Sequence, residues 1–353
     1  MSVQEYKSQF YEAVLDLLWK QWTALGIPGQ IAVPESEMIL DPEALLLFSA
    51  GFARHDQRLY DLILDWLQIH SSQINIQRLK ALHAKAEWKA PSSLGYMCAV
   101  IAESDPVRWE KTAEGFSGKA AKQPTVLFLD RENGPEEFIP KQDPLALLCG
   151  FVRNIRRNSG KIPDLLPKSP ATLLIQMRGL LGISARAETI LILLTSPLCK
   201  VQDIVDRSGF TWKSIQDVLA ELSAGGYVSS LDGKGRGKQY YLTDPEKMLR
   251  FFDLHTPIFW NWPGIYDSIG LLWQACSNPF LKKVSEETIR NEFQNLYREK
   301  LQKKLLASGC PVFEKTNLDL WAFPEMIQRI YNFKPENFVI NRRLEKPCLR
   351  CSK

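Results

Sequence analysis

The spacing of apolar residues in the N-terminal third of the chain predicts a series of amphipathic helices. The first helix covers residues 3–25, and its apolar stripe consists of Phe10, Val14, Leu17, Leu18 and Leu25. The second begins at Asp41, because aspartate is a favoured N-cap and the proline that follows it fits the first helical turn. It continues to Phe52, and two further helices are predicted at residues 56–69 and 76–88.

The period of the pattern changes between residues 125 and 138. Apolar and polar residues alternate there around a turn at residues 132–134, which is typical of a β-hairpin. Asp143 then begins another predicted helix, which carries apolar residues on one face as far as Ile155. Residues 158–170 contain three prolines and one glycine and are predicted to form a linker.

The most informative pattern lies between residues 184 and 243. Two short apolar helices are predicted at residues 186–195 and 201–207. Gly209 permits the positive φ that a tight corner between two helices requires. Thr211 can cap a third helix, whose inner face at helical spacing consists of Ile215, Val218, Leu219 and Leu222.

A predicted two-stranded ribbon follows the third helix. Its strands are residues 227–231 and 239–242, and the loop between them contains three glycines and three basic residues. This ordered set resembles the winged helix-turn-helix of bacterial regulators such as the ArsR and MarR groups. The stretch 219–228 is similar to the end of their recognition helix and the strand that follows, although Gly225 stands where those families usually have alanine. Residues 240–243 are similar to their returning strand.

The resemblance covers about 60 of the 353 residues and defines the predicted domain organisation. The chain is predicted to be mainly α with small β-hairpins, of the α+β class, with several domains and a central winged helix-turn-helix. The predicted parts are an N-terminal helical domain with a hairpin near 125–138 (residues 1–157), the linker (158–170), the winged helix-turn-helix domain (171–245) and a C-terminal helical, aromatic-rich domain (246–353).

The third helix carries the candidate DNA-reading residues. A helix in the major groove needs short polar or basic side chains on its exposed N-terminal half, because the base edges there offer hydrogen-bond donors and acceptors. The candidates are Thr211, Trp212, Lys213, Ser214, Gln216 and Asp217. Gln216 has the side chain for a bidentate pair with adenine, whereas Asp217 can accept from cytosine or repel phosphate. The resemblance implies a sequence-specific transcriptional regulator, acting as a repressor on double-stranded DNA.

Two groups of basic residues are candidate phosphate contacts. Lys234, Arg236 and Lys238 lie in the glycine loop of the predicted wing, for which the alternative is a solvated hairpin tip. Residues 151–186 carry seven basic residues against one acid, so they can hold flanking phosphates or act as a solubilising linker. The further candidate contacts are Arg153, Arg156, Arg157, Arg186 and Lys200.

Composition and charge narrow the class of protein. Lys and Arg number 44 against 40 Asp and Glu, so the net charge of +4 leaves room only for a local nucleic-acid surface. No apolar run approaches the ~18 residues of a membrane helix, and the opening residues lack the basic-then-apolar plan of a secretion signal. A soluble, cytoplasmic protein is therefore expected, with no membrane partner.

The sequence predicts no catalytic residue, cofactor or metal ligand, and hence no enzyme activity. The four histidines lack metal-site spacing, and the glycine loop opens no helix of the dinucleotide-binding kind. Of seven cysteines, Cys348 and Cys351 form a CxxC pair, which supplies two of the four ligands of a structural zinc. A disordered terminus is the favoured alternative for that pair.

Several alternatives remain open at the level of sequence. The second candidate function is a winged-helix protein–protein adaptor or an antitoxin-like protein, and the third is an enzyme with a hidden site. A homodimer is expected, with residues 3–25, 287–308 and the aromatic block 251–273 as candidate interfaces. That aromatic block is predicted to be core or interface rather than a ligand pocket. Residues 59–82 resemble a second helix-turn-helix, but without a recognisable wing.

Overall fold

A computed structural model of the chain describes residues 2–29, 37–88, 93–117, 123–129, 141–233, 237–255, 257–278, 281, 284–314 and 319–333. These residues form a mainly helical fold with a few short strands, as predicted. Among them, no helix combines the length and the apolar character that crossing a membrane requires.

Polar caps begin the first helices of the N-terminal region. The helices are α1 (Val3–Ala24), α2 (Pro42–Phe52), α3 (Gln57–His70), α4 (Ile76–Lys85), α5 (Leu94–Ala102) and α6 (Pro106–Ser117). The side chains of Ser2, Asp41, Asp56 and Asn75 accept hydrogen bonds from backbone N–H groups of the first turns of α1 to α4. These bonds satisfy donors that a helix start leaves unpaired. The predicted bounds of α1 to α3 are confirmed within two residues, whereas α4 ends at Lys85 rather than at residue 88.

The region after α6 differs from the sequence prediction. It contains β1 (Thr125–Val126), α7 (Pro144–Leu148) and β2 (Phe151–Val152). β1 pairs in parallel with β2. The predicted turn and return strand of the hairpin lie outside the described residues. The helix predicted as far as Ile155 ends at Leu148. The reason is Gly150, whose φ of +82° cannot continue a helix and turns the chain into β2.

The central region has the three helices and the two-stranded ribbon that the sequence predicts, together with one helix, α8, and one strand that it does not. The elements are α8 (Leu173–Leu181), α9 (Ala185–Thr195), β3 (Cys199–Lys200), α10 (Val201–Ser208), α11 (Trp212–Ala224), β4 (Val228–Gly233) and β5 (Gly237–Leu242). β5 lies between β3 and β4 and is antiparallel to both, with Val228 opposite Leu242. The unpredicted strand is β3, which has only two residues and pairs with the distant β5.

The C-terminal region is helical as predicted. It contains α12 (Pro245–Phe251), α13 (Trp262–Cys276), α14 (Glu286–Leu296), α15 (Gln302–Leu306) and α16 (Phe323–Tyr331). The single helix predicted over 287–308 is interrupted by a π-helical turn at Tyr297–Leu301. Gly309, with φ of +70°, follows its end.

Aromatic side chains join the C-terminal helices to the N-terminal ones. The ring of Tyr6 in α1 lies 4.8 Å from that of Trp321, and its hydroxyl donates to the carbonyl of Leu320 at 2.8 Å. The indole of Trp262 donates to the carbonyl of Ile39 at 2.8 Å. Most of the aromatic block is core, because Phe259, Trp260, Trp262 and Tyr266 are all buried, whereas Phe251 is exposed. The division into domains stays a prediction.

The predicted linker is attached to α3. The N–H of Ser159 donates to Oδ2 of Asp65 at 2.8 Å, and Nε2 of His70 lies 2.9 Å from the carbonyl oxygen of Pro163. Ile162 is buried. Residues 158–170 therefore follow the surface of the N-terminal helices and do not form a free tether.

Candidate nucleic-acid interface

α10 and α11 meet at a tight corner. Gly209 at the end of α10 has a φ of +77°, in the left-handed region that glycine adopts without strain. Thr211 caps α11, since its Oγ1 accepts from the N–H of Ser214 at 3.2 Å. Ile204 of α10 and Ile215 of α11 are both fully buried. Glycine conformation, cap and shared core together fix the angle between the two helices.

The N-terminal half of α11 is open to solvent. Thr211, Trp212, Lys213, Gln216 and Asp217 are exposed, and Ser214 is half-buried. Trp212 keeps 46% of its surface accessible, a large fraction for an indole at the first position of a helix. Lys213 and Asp217 lie one turn apart with opposite charges. The face is thus polar and accessible, but close to neutral.

The hairpin of β4 and β5 directly follows α11 in the chain. Lys238 at its tip is exposed, with its Nζ 5.7 Å from the centre of the Tyr240 ring. The other two predicted wing contacts, Lys234 and Arg236, lie outside the described residues. Tyr227 and Leu231 expose 63% and 42% of their surfaces, so apolar groups border the hairpin.

Two of the predicted phosphate contacts have internal partners. Arg153 is 1% exposed, lies over the ring of Phe128 at 5.1 Å, and its Nη2 is 2.7 Å from Oδ1 of Asp61. Arg156 forms an ion pair with Asp65. A buried, paired guanidinium offers no surface to a phosphate, so Arg153 is removed from the predicted set. The same pairing removes Arg156.

The remaining basic candidates are more accessible. Arg157 is exposed, and Lys200 is half-buried at the start of α10. Arg186 forms an ion pair with Glu221 in which both side chains are largely exposed. Such surface pairs contribute little to stability, so Arg186 can exchange its partner for a phosphate.

A buried charge network lies behind the corner, and it is absent from the sequence-based predictions. It consists of Asp41, Glu43, Arg78, Arg178 and Glu188. Every member of the network is at most 2% exposed. With three carboxylates and two guanidiniums, its formal charge is −1. Buried charges are tolerated only when they are paired and hydrogen-bonded in this way.

Glu43 is the centre of the network. Its carboxylate accepts from Nη1 and Nη2 of Arg178 at 2.6 and 2.8 Å, from Nη1 of Arg78 at 2.7 Å and from the N–H of Asn75 at 2.7 Å. Burial alone would raise the pKa of Glu43, but the two guanidiniums, Arg178 first, lower it to about 2. The Glu43 carboxylate therefore stays ionised at neutral pH.

The network reaches the corner through Arg78. Its Nε donates to the carbonyl oxygen of Ser208, the last residue of α10, at 2.7 Å. A second arginine, Arg207 of α10 itself, donates through Nη2 to the carbonyl of Phe259 at 2.8 Å and through Nη1 to Oγ of Ser196 at 2.7 Å. α10 is thus fixed to both the N-terminal and the C-terminal regions.

A sequence signal for this network exists. In α8, Leu174, Met177, Arg178 and Leu181 follow helical spacing, so Arg178 stands within an apolar stripe. A charge at such a position predicts a buried partner. Charge alone assigns Arg178 instead to the basic surface stretch 151–186, and that assignment is wrong because its side chain is buried.

The described residues contain no group of three or more His, Cys, Asp or Glu side chains arranged to hold a metal ion. The CxxC pair, Cys348 and Cys351, lies outside the described residues. Burial raises the pKa of the Cys98 thiol, and Cys98, Cys149, Cys199, Cys276 and Cys310 are free thiols.

The helix pair that resembles a second helix-turn-helix corresponds to α3 and α4, and the next described element is the helix α5.

Comparisons of this chain with protein-family models, with curated proteins and with solved structures return no match.

Proposed function

We propose that this chain is a sequence-specific DNA-binding protein of the winged helix-turn-helix class and that it acts as a transcriptional regulator. The observation that carries the proposal is the open N-terminal half of α11 beside its glycine corner with α10. A helix with its side chains is about 10–12 Å across and fits a major groove about 12 Å wide. The strand order β3-β5-β4 and the antiparallel hairpin after α11 also agree with this class.

Because the exposed face of α11 is close to neutral, we assign base reading to α11 and attraction to phosphates to the wing. Gln216 follows the buried Ile215 and is exposed, which suits it to reading a base edge. Lys238, together with the wing residues Lys234 and Arg236, supplies attraction to phosphates that carries no sequence information. A two-fold dimer would place two such helices on half-sites about 34–36 Å apart.

The first test separates base reading from general affinity. Duplexes enriched from a random library by repeated binding would be compared with scrambled duplexes, for the wild type and for Gln216→Ala. A Gln–adenine pair is worth ~1–3 kcal/mol, so the variant is expected to bind the enriched site about 10- to 100-fold more weakly and random DNA nearly unchanged. Gln328→Ala, at an exposed position on α16, is the matched control. Equal weakening on both duplexes would contradict the base-reading role of Gln216.

The second test concerns the wing. Lys238→Ala is expected to weaken binding to every duplex and to flatten the salt dependence by ~0.9 for each phosphate that the variant no longer neutralises. Lys303→Ala, at an exposed position on α15, is the control. An unchanged salt slope in Lys238→Ala would remove the wing from the proposed interface.

A protein-binding adaptor is the second candidate function. The exposed apolar groups Trp212, Tyr227 and Leu231 favour it, because aromatic side chains are common anchors of protein interfaces. A photoactivatable phenylalanine analogue at position 212 distinguishes the two functions in cells. Cross-links to DNA support the regulator, whereas cross-links to one protein, with no DNA retained, support the adaptor.

A further inference from the structure

A cleft of about 200 Å³, here called the aromatic cleft, lies among helices of the N-terminal, central and C-terminal regions. It is lined by residues of α2, α4, α5, α10, α13 and α15 and of the segments next to them. Three aromatic side chains contribute to its lining, namely Phe48, Trp88 and Tyr266. The Phe48 ring lies 4.9 Å from that of Tyr266, nearly parallel to it, and 5.2 Å from that of Trp88. Phe48 and Tyr266 are themselves buried and stacked on each other, so of these three rings the half-buried Trp88 has the most accessible surface.

The position of Trp88 is fixed by two residues of α13. A Cβ atom at Gly270 would lie 2.1 Å from the indole of Trp88, so only glycine lets this ring lie against the helix. The backbone N–H of Trp88 donates to Oδ1 of Asp267 at 2.7 Å. The aromatic wall is therefore held by specific contacts.

The charged groups around the cleft do not balance. Nζ of Lys304 lies between Oδ2 of Asp267 at 2.5 Å and Oε1 of Glu87 at 2.8 Å, one cation against two carboxylates. Lys85, Asp206, Asp267 and Lys304 line the cleft and cancel in charge, whereas Glu87 lies next to the lining as the second partner of Lys304. The formal charge of these five groups is −1.

We propose that the aromatic cleft binds a small aromatic amine in its protonated form, with one ring or two fused rings. A cavity of about 150 Å³ lined by apolar side chains accommodates a molecule of the size of benzene, so a cleft of about 200 Å³ that opens to solvent has room for one ring or two fused rings with a short substituent. Ring faces attract cations within about 6 Å of their centres, and the excess carboxylate acts in the same direction.

Asp206 is the group that we assign to the ammonium. Asp267 already accepts from Trp88 and Lys304, whereas the carboxylate of Asp206 is exposed and accepts from Nε2 of Gln202 through Oδ1. Within the described part of the chain no group donates to its Oδ2, and Asp206 is one of the residues that line the cleft. Asp206 belongs to α10, so the ligand would contact the helix that forms the corner with α11. The site itself does not depend on the DNA-binding proposal.

The test uses three probes of similar size and different charge: tryptamine, indole and indole-3-acetate. Calorimetric titration of the full chain at neutral pH is expected to show tryptamine binding at least about tenfold more tightly than indole-3-acetate, with indole between them. Asp206→Asn is expected to remove most of the preference for tryptamine while leaving indole binding within about twofold.

A second variant tests the location. Ala86→Leu places a larger side chain at a half-buried position that lines the cleft, and it is expected to weaken tryptamine and indole binding at least about tenfold. Ala84→Leu, the same change at an exposed position of α4 outside the lining, is the control and should bind as the wild type does. Circular dichroism of both variants verifies that they fold.

Each possible result of these titrations either supports the proposal or overturns it. Preference for tryptamine that disappears in Asp206→Asn, with weaker binding in Ala86→Leu alone, supports the proposal. It is overturned if no probe binds, if indole-3-acetate binds as tightly as tryptamine, or if folded Ala86→Leu and Ala84→Leu bind alike.

Discussion

Replacing Arg78 by methionine tests how strongly the buried charge network holds the corner of α10 and α11. Arg78 pairs with Asp41 through both terminal nitrogens at 2.5 Å, with Glu43 at 2.7 Å, and with the carbonyl of Ser208 at 2.7 Å. Methionine has a flexible apolar stem but no charge or donor. The variant leaves three carboxylates, those of Asp41, Glu43 and Glu188, facing the single cation of Arg178.

The expected decrease in the free energy of unfolding follows from that imbalance. Removing one partner of a buried ion pair costs about 3–5 kcal/mol, because the remaining charge stays in a medium that solvates it poorly. Arg78 is 2% exposed, so water does not replace the guanidinium without a rearrangement of the helices. Since the free energy of unfolding of a domain is only ~5–15 kcal/mol, Arg78→Met is expected to remove a large part of it.

Urea unfolding followed by circular dichroism measures this decrease, and two further variants interpret it. Arg250→Met removes an exposed arginine, 3.9 Å from Glu246, and should cost less than about 0.5 kcal/mol. Adding Asp41→Asn to Arg78→Met removes one unpaired carboxylate, and asparagine can still cap α2. The double variant should therefore be more stable than the sum of the two single effects predicts, by at least about 1 kcal/mol. Equal destabilisation in Arg78→Met and Arg250→Met, or strict additivity, would refute the reasoning.

Three further predictions concern single residues. Burial first, and then the cation of Arg54, lower the pKa of His55 to about 4 from 6.5, so only the unfolded chain gains this proton as the pH falls between those values. Because of His55 alone, the free energy of unfolding should be about 2 kcal/mol lower at pH 5 than at neutral pH. In urea titrations, His55→Phe should lose that part of the pH dependence. Gly209→Ala should cost about 1–2 kcal/mol through its positive φ, whereas Gly115→Ala, at an exposed position of α6 with open space around it, should stabilise; thermal melts that rank them otherwise contradict the argument. Arg153→Met should destabilise by about 3 kcal/mol yet leave the DNA affinity of the folded protein unchanged, because its charge is used internally; a reduced salt slope in DNA titrations would restore it to the interface.

The sequence predicted those elements whose signals are local. Asp41 before a proline, Gly209 between two apolar stripes and Thr211 before a third all act within a few residues of themselves, so their positions can be read without knowing the fold. The apolar face of α11 can likewise be read from the spacing of its own residues, and the remaining positions form its exposed face. The candidate DNA-reading residues were identified in this way, and the structure places them on an accessible surface.

The missed features depend on partners that are distant in sequence. Glu43 and Arg178 are separated by 135 residues, and the pattern around each shows that its face is buried but not what it meets. The two-residue strand β3 has too little sequence to carry a period and exists because β5 supplies its hydrogen bonds. The early end of the helix predicted from Asp143 depends on one glycine, Gly150, whose conformation the apolar pattern does not report.

The contacts of α10 connect the buried network, the aromatic cleft and the proposed DNA-binding helix. The carbonyl of Ser208 is held by Arg78, the side chain of Arg207 reaches the carbonyl of Phe259, and Asp206 lines the cleft. Moving α10 relative to α4 would break the bond from Arg78 and disturb a network whose charges have no access to water. α10 therefore has few positions of comparable energy, and a ligand can change DNA binding only by favouring one of them over another. An occupant of the aromatic cleft would touch α10 at Asp206, so it would alter the proposed DNA binding only if its affinity differed between two such positions.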